Sequence, residues 1–410
     1  METLNFAIPT LFGLEALAAD ELRRLGLDQV RAENGRVLCS GRPGDIPRMD
    51  LNLRTGERVL LVLGTFPAGD FDALFEGTRA LAWEQFIPRE GRFPVKGHCL
   101  NSALHSVPAC QSIVKKAAAA RLGDAYGLNT LPETGALFQI QFSIMKDTAV
   151  LMLDTSGPGL YKRGYRAHGV DAPLRETLAA AMVLLSRYRG RDPLCDPFCG
   201  SGTIPIEAAL IAKNRAPGLN RTFSAQKWAC VDRELWLRAA DEAMDKEFDG
   251  DYEIWGGDLD PAAVDLARRN AELAEVDDIV KFEVADARTF HWGGLYGRVV
   301  TNPPYGERIL EKREAEGHTA VFCTKLETVP GKDGAAYEAE LRDALRKADV
   351  EIGQIEGAVV SSVVPCLNRP IHACIRAVLG REPVWITCQS KTGLKMDVEY
   401  PEKVGVDRIV

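Results

Sequence analysis

A short apolar strand that runs into a glycine loop and then into a helix is the most constraining feature of this chain. The segment PLCDPFCGSGTIPIEAALIA, residues 193–212, places Gly200 and Gly202 between the predicted strand and helix. Glycines permit a sharp turn and a close approach of the backbone to a ligand, and the start of the helix directs a positive dipole end toward it. Strands and helices alternate after this loop, which predicts a parallel doubly wound sheet.

Several ligands use a loop of this kind. A P-loop requires lysine after its second glycine, whereas this loop reads Gly-Ser-Gly-Thr. A dinucleotide-binding fold needs a third glycine and an acidic residue about 20 residues later. The next acid at a strand end, Asp258, lies well beyond that distance. A plain turn between a strand and a helix is the remaining alternative for the loop taken alone.

Acidic residues follow the next two predicted strands. Asp258 and Asp260 come after EIWGG, where carboxylates accept hydrogen bonds from ribose hydroxyls in doubly wound folds. Asp286, in KFEVADART, is placed to accept from an adenine amino group. An adenosine with a carboxylate-bearing tail fits these residues better than a nucleoside triphosphate does, which favours S-adenosylmethionine.

A fourth predicted strand, residues 298–301, delivers Asn302-Pro303-Pro304-Tyr305 to the same edge of the sheet. An exocyclic base amine is a poor nucleophile, because its lone pair is delocalised into the ring. The Asn302 side-chain oxygen and the Pro303 carbonyl can each accept one amine hydrogen, and Tyr305 can stack on a base splayed out of its helix. Turns use the same four residues, but their position after the glycine loop and two acid-ended strands predicts a catalytic loop.

The motifs DPFCGSGTIPIEAALIAKNRAPG, GGDLDPAAVDLARRNAE and TNPPYGER resemble those of the THUMP-domain class I RNA guanine methyltransferases, of the large-subunit ribosomal RNA methyltransferase L type. The resemblance runs from residue 1 to about 314 and includes LFGLEALAADELRRLG, FPVKG, SVPACQSIVKKA and LYKRGYR. It implies a ferredoxin-like domain at 1–65, a THUMP RNA-binding domain at 66–156 and a Rossmann-like methyltransferase sheet at 165–314. It also implies methyl transfer from S-adenosylmethionine to the 2-amino group of a guanosine in 23S rRNA or its assembly precursor.

The resemblance assigns site residues as well. It places Arg175, Glu176 and Thr177 at the entrance for the cofactor. The other candidates for cofactor binding are Asp196, Phe198, Gly200, Gly202, Thr203, Asp258, Asp260 and Asp286, and the catalytic loop is Asn302, Pro303, Pro304 and Tyr305.

The N-terminal half has a mixed α+β pattern. Strands are predicted at 5–9, 37–40, 93–97, 137–144 and 148–154, helices at 14–25, 71–83 and 109–122, and a glycine-rich linker at 156–169. The net charge of −8 argues against broad coating with nucleic acid, which needs many phosphate contacts, but it leaves local basic grooves open. The weak candidates for RNA contacts are Lys115 and Lys116 beside Arg121, and Lys162, Arg163 and Arg166; ordinary solvated faces provide such clusters too.

The sequence composition also bears on the cellular compartment of the protein. No run of 18 or more apolar residues occurs, and the N-terminus lacks the basic region of a signal peptide, so no membrane span is expected. The ten cysteines are scattered without CxxC pairs, which predicts reduced thiols, a cytoplasmic location and no metal site.

From about Thr319 the chain changes character and resembles the type III pantothenate kinases, over VFCTKLETVPGKDGAAYEAELRDAL, IEGAVVSSVVPCL and KTGLKMDVEYPEKVGVDRIV. An α/β kinase-like fragment is therefore expected at 319–410, in which Gly405, Asp407 and Arg408 match the pantothenate-binding signature of that family. The phosphate loop Asp-x-Gly-Asn-Thr does not precede Thr319, so we expect no kinase activity.

This change of character has a physical consequence. The fifth strand and the final strand pair of the methyltransferase family do not follow TNPPYGER, which leaves the strand at 298–301 as an apolar edge. Segments 358–363 and 384–388 are candidate strands to cover it. We expect a partly formed cofactor pocket and weak or lost catalysis. The alternatives are an RNA-binding protein without catalysis, a DNA adenine methyltransferase that uses the same tetrapeptide, and a pantothenate kinase.

Overall fold

A computed structural model describes residues 3–166, 174–290, 297–303, 333–347, 350–355, 358–361 and 368–386. The chain forms two compact units, Met1–Pro303 and Pro304–Val410. The predicted multidomain class, α+β segments followed by an α/β sheet, is confirmed.

The N-terminal half of the first unit is built on one seven-stranded sheet. Its elements are β1 (Leu4–Pro9), α1 (Glu15–Arg24), β2 (Asp28–Glu33), β3 (Arg36–Gly41), α2 (Asp45–Asn52), β4 (Leu60–Pro67), α3 (Phe71–Ala80), β5 (Val95–Leu100), α4 (Val107–Tyr126), β6 (Ile140–Met145) and β7 (Thr148–Asp154). The strand order is β2-β3-β1-β4-β7-β6-β5, and only the β5–β6 pair is parallel.

Strand β4 lies in the middle of this sheet. It pairs antiparallel with β1 on one side and with β7 on the other. The boundary expected near residue 65 therefore falls inside a continuous strand. One hydrophobic core extends from Phe6 in β1 through Trp83 to Phe142 in β6, so the segments predicted as ferredoxin-like and THUMP domains fold against each other.

The second half of the first unit is the predicted doubly wound sheet. Its elements are α5 (Glu176–Leu185), β8 (Leu194–Asp196), α6 (Thr203–Ala212), α7 (Arg233–Met244), β9 (Ile254–Asp258), α8 (Pro261–Leu273), β10 (Val280–Val284) and β11 (Arg298–Val299). Four parallel strands are ordered β10-β9-β8-β11. Every residue of α6 is buried, because this helix packs against both the sheet and its neighbouring helices.

The predicted linker turns out to be a packed joint over its described part. Leu160, Arg163 and Tyr165 are buried, and Arg163 donates hydrogen bonds to the carbonyls of Leu53, Arg54 and Leu160. Its guanidinium also pairs with Glu207 of α6, at 3.4 Å between Nε and Oε1. Sequence composition suggested a linker because Gly and basic residues are usually exposed, whereas here the basic side chain satisfies buried carbonyls.

The second unit contains α9 (Gly334–Lys347), β12 (Val359–Ser361), α10 (Asn368–Leu379) and β13 (Val384–Ile386). Helices α9 and α10 pack through a small core around Tyr337, Leu345, Cys374 and Val378. The two strands predicted to cover the methyltransferase sheet instead pair with each other in parallel. Within the described part of the chain, no helix is long and apolar enough to cross a membrane.

Candidate active site

Asp258 fastens the glycine loop to the neighbouring strand. The Gly200 N–H donates to Asp258 Oδ2 at 2.9 Å, and the Asp260 N–H donates to Oδ1 at 3.0 Å. The Cys199 N–H also donates to the Gly257 carbonyl, at 2.8 Å. Because each carboxylate oxygen keeps a further lone pair, Asp258 can hold the loop and still accept hydrogen bonds from a ligand.

The two loop glycines are needed for different reasons. Both have left-handed backbones, with φ of 52° at Gly200 and 79° at Gly202. A Cβ at Gly202 would lie 2.9 Å from Ala267 Cβ and Phe282 Cζ, so packing alone requires glycine there. A Cβ at Gly200 would meet nothing within 4 Å, which leaves the backbone open to an approaching ligand.

A side chain of α8 also supports the glycine loop. Asn270 of α8 donates from Nδ2 to the Ser201 carbonyl at 2.9 Å, within the buried interior. Helix α6 then begins at Thr203, and no side chain caps its N-terminus. The positive end of α6 is therefore available to an anionic group.

Asp196, at the carboxyl end of β8, is buried. Its Oδ1 accepts the Phe198 N–H at 3.1 Å and the Thr301 hydroxyl at 2.6 Å. Burial, and to a lesser degree the charge of Asp258, raises the pKa of Asp196 to about 7, although both hydrogen bonds lower it. The interaction with Thr301 connects β8 directly to the segment that precedes the predicted catalytic loop.

Part of that catalytic loop is described. The Val300 N–H donates to the Cys195 carbonyl at 3.0 Å, so the chain reaches the carboxyl edge beside β8. Asn302 and Pro303 follow and are exposed there. Pro304 and Tyr305, like the kinase-like residues Gly405, Asp407 and Arg408, lie outside the described residues.

Arg166, a predicted candidate for RNA contacts, lies against the glycine loop and the start of α5. Its guanidinium donates to Glu176 Oε1 at 2.6 Å, to Thr203 Oγ1 at 3.1 Å and to Ser201 Oγ at 3.4 Å. The pKa of Glu176 is raised, because burial outweighs the opposing effect of Arg166. The sequence prediction grouped Arg166 with neighbouring basic residues, since nothing in the local pattern reveals that α5 and the glycine loop surround it.

The other predicted entrance residues face the N-terminal half. The Thr177 hydroxyl donates to Glu57 Oε1 at 2.5 Å, and Arg175 lies 3.4 Å from Glu57 Oε2. The chain thus ties the start of α5 to the loop before β4, so the N-terminal half supports this side of the site.

Asp260 and Asp286 already have local partners. Asp260 caps α8 by accepting the Ala262 N–H at 2.9 Å. Asp286 pairs with Arg288, at 2.7 Å between Oδ2 and Nη2. A ligand at either residue would use the lone pairs that remain.

The candidates for RNA contacts divide into two groups. Arg163 is 2% exposed and satisfies internal groups, so its assignment to RNA binding is corrected. Lys115 pairs with Glu133 at 2.6 Å and lies over the Phe93 ring. Lys116 and Lys162 are exposed and remain candidates.

The described cysteines and acidic side chains bear on metal and thiol chemistry. These residues contain no group of three or more His, Cys, Asp or Glu side chains that could hold a metal ion. Cys195 and Cys199 are free and buried, and burial raises the pKa of Cys195 to about 12. A thiol held protonated in this way is a poor nucleophile.

Comparison with family models assigns the segments in order. Residues 5–60 match the RlmL ferredoxin-like domain, 68–154 the THUMP domain and 163–348 the RMKL-like methyltransferase domain. Residues 311–410 match the type III pantothenate kinase model, which confirms the second resemblance seen in the sequence.

Individual proteins agree with this assignment. The "Putative RNA methyltransferase YpsC" of Bacillus subtilis (strain 168) is 44% identical over 307 residues, which cover 74% of this chain and 80% of that protein. A crystal structure described as a "predicted N6-adenine-specific DNA methylase from Listeria monocytogenes str. 4b F2365" is 45% identical, with a TM-score of 0.73 over 75% of this chain and 81% of the other. The structure of "SMU.472, a putative methyltransferase complexed with SAH" is 42% identical, with a TM-score of 0.71 over 76% and 83% of the two chains.

The fold is that of a methyltransferase domain preceded by a ferredoxin-like domain and a THUMP domain. The chain belongs to the family of RNA methyltransferases in which an RlmL ferredoxin-like domain and a THUMP domain precede an RMKL-like methyltransferase domain.

Proposed function

We propose that this protein transfers the methyl group of S-adenosylmethionine to the exocyclic 2-amino group of a guanosine in 23S rRNA or its assembly precursor. The observation that carries the proposal is the hydrogen bond from Thr301 to Asp196, because it joins the start of the catalytic loop to the end of β8 beside the glycine loop. The cofactor side and the nucleobase side of the site are thereby held together at one edge of the sheet.

The described residues fit the cofactor. The open space at Gly200 and the uncapped start of α6 suit its methionine carboxylate, with Arg166 beside Thr203 as a nearby cation. Asp258 would accept hydrogen bonds from the ribose hydroxyls and Asp286 would accept one from the adenine amino group. When bound, S-adenosylmethionine supplies a methyl group made electrophilic by its sulfonium.

The chain's own residues position the amine. Asn302 accepts one amine hydrogen through its side-chain oxygen, and the Pro303 carbonyl accepts the other. These acceptors favour a tetrahedral nitrogen whose lone pair points at the methyl carbon, so catalysis consists of positioning and electrostatics without a strong base. The nitrogen forms its bond to carbon as the carbon–sulfur bond breaks, and the surplus proton leaves to solvent. Tyr305 is assigned the stacking role on the splayed base.

The N-terminal half would hold the RNA. Its THUMP segment and the exposed Lys116 and Lys162 support this assignment, and the reduced, free cysteines of the described residues suit a cytoplasmic enzyme. Among the described residues, no strand pairs with the outer edge of β11. We therefore expect slow methyl transfer, since an uncovered edge strand anchors the catalytic loop less rigidly.

The first test is calorimetric titration of S-adenosylmethionine into the purified 410-residue chain. Micromolar one-to-one binding supports an assembled cofactor site. Absence of binding by the folded chain contradicts the proposal and leaves an RNA-binding protein without catalysis.

A methyl-transfer assay on unmodified 23S rRNA follows, with digestion of the product to nucleosides. The proposal requires N2-methylguanosine. A second candidate, DNA adenine methylation, is favoured by the tetrapeptide and by the description of the similar Listeria structure. Formation of N6-methyladenine in duplex DNA, without modification of RNA, would replace the first proposal with the second.

A further inference from the structure

A large basic cleft lies at the amino edge of the methyltransferase sheet, opposite the carboxyl edge that carries the candidate active site. Its volume is about 1110 Å³, and seven basic and three acidic side chains line it. The basic side chains come from α1, from the segment between α2 and β4, from the segment between α5 and β8, from the segment after α7 and from β11. We call it the amino-edge cleft and define it by Arg24, Arg54, Arg187, Arg189, Arg191 and Arg298.

The acidic side chains of the cleft are already engaged. Asp20 pairs with Arg23 at 2.7 Å, and Asp192 pairs with Arg298 at 2.8 Å. Glu21 accepts hydrogen bonds from the Thr55 hydroxyl and from backbone N–H groups. These carboxylates therefore leave most of the arginines of the cleft without a counter-charge.

Several arginines keep unused donors. Within the described part of the chain, Arg24, Arg187 and Arg191 make no ion pair, and all three are exposed. Arg54 donates through Nη2 to the carbonyls of Leu210 and Arg215, but its Nη1 is buried without a hydrogen-bond partner. A buried donor of this kind is costly unless a ligand or water completes it.

The arginines are also crowded against one another. Burial lowers the pKa of Arg189, and the charges of Arg24 and Arg298 lower it further. Arg187 has a left-handed backbone with φ of 60° just after α5, a position at which glycine is usual. Like charges held together in this way destabilise the free protein, and an anion in the cleft would relieve that repulsion.

We propose that the amino-edge cleft binds phosphate groups of the RNA backbone, at a segment remote from the base being modified. The proposal rests on the RNA substrate of the proposed function. An extended polyanion suits the cleft better than a small anion does, because the arginines come from four separate parts of the chain and four of them are exposed along it. Guanidinium contacts to phosphate position the RNA without reading its sequence.

The test compares two triple variants for binding to unmodified 23S rRNA over a range of salt concentrations. The cleft variant is Arg24→Ala with Arg187→Ala and Arg191→Ala, chosen because their removal leaves no carboxylate unpaired. The control is Arg31→Ala with Arg233→Ala and Arg269→Ala, which are exposed outside the cleft and give the same change of charge.

In the cleft variant we expect the Kd for RNA at about 0.1 M KCl to rise roughly 10- to 100-fold, and the slope of log K against log salt to fall by about 2 to 3. The KM for RNA should rise while kcat at saturating RNA and the affinity for S-adenosylmethionine stay unchanged. The control variant should retain nearly all of the RNA affinity.

Equal Kd and salt slope in the two variants would overturn the cleft assignment while leaving the proposed function intact, provided that the wild-type chain binds and methylates RNA. Absence of RNA binding by the wild-type chain would contradict both the cleft assignment and the proposed function. Loss of affinity for inorganic tripolyphosphate with unchanged RNA binding would identify a small-anion site, which also overturns the proposal.

Discussion

The Thr301 hydroxyl lies 2.6 Å from Asp196 Oδ1, across the pairing of β11 with β8. A buried carboxyl group at the end of one strand thus receives a donor from the residue that immediately precedes Asn302. Because the same Asp196 oxygen accepts the Phe198 N–H, a single side chain connects the glycine loop with the start of the catalytic loop.

Asp196→Asn should change how stability depends on pH. The pKa of Asp196 is about 7 in the folded protein and near 3.8 when unfolded, so the folded state binds more protons between these values. The free energy of unfolding therefore falls as pH rises through this window, and asparagine removes that decline. Urea unfolding should show the variant gaining about 2 kcal/mol relative to wild type between pH 5 and 7.

Asp50 also has a pKa raised to about 7 by burial, but both proteins retain it, so its contribution cancels in the difference. Parallel pH curves for the two proteins would show that Asp196 is ionised normally.

Gly202→Ala and Gly200→Ala form a matched pair. The first places a Cβ against Ala267 and Phe282 on a left-handed backbone, so we expect a loss of about 1–3 kcal/mol in unfolding free energy. The second meets no atom, so stability should fall by only about 1 kcal/mol while affinity for S-adenosylmethionine drops at least tenfold. Thermal unfolding and calorimetry separate the two effects. If the folded Gly200→Ala variant bound S-adenosylmethionine normally, the glycine loop would not be part of the cofactor site.

Asn302→Ala should lower kcat for methyl transfer by about 10²- to 10³-fold, because one acceptor for the amine hydrogens is lost. Asn302 is exposed, so the free energy of unfolding should stay close to that of wild type, and the affinity for S-adenosylmethionine should stay within about twofold. Single-turnover kinetics with radiolabelled methyl donor measure the rate. A change in kcat below about threefold would exclude a catalytic role for this side chain.

Arg163→Met should destabilise the protein by about 3–5 kcal/mol, because it leaves the buried Glu207 carboxylate without its cationic partner and with only the Tyr165 hydroxyl as a donor among the described residues. Lys162→Met, at the adjacent exposed position, should change the unfolding free energy by less than about 0.5 kcal/mol. Chemical denaturation of both variants checks the contrast. If Arg163→Met instead left stability intact and weakened RNA binding, the original assignment of Arg163 to RNA would be restored.

Local sequence patterns predicted much of this structure. The helices at 14–25, 71–83 and 109–122 correspond to α1, α3 and α4, and the strand at 148–154 has the predicted bounds. The glycine loop, the acid-ended strands and their common edge were all predicted, since a parallel sheet collects the carboxyl ends of its strands on one side. Strands β2 and β4 and helix α2 were not individually predicted.

The tertiary structure decided which charged residues are buried and which strands pair at their edges. The sequence by itself determined the fold class and the order of chemical groups along the carboxyl edge, because these follow from short-range periodicity and loop residues. The family was indicated by the resemblance of its motifs. Only the folded chain decided that β4 completes a seven-stranded sheet, that Arg163 neutralises Glu207 and that Arg166 supports the glycine loop. These outcomes depend on partners distant in sequence, and the free energy of a charge is set by the groups that surround it after folding.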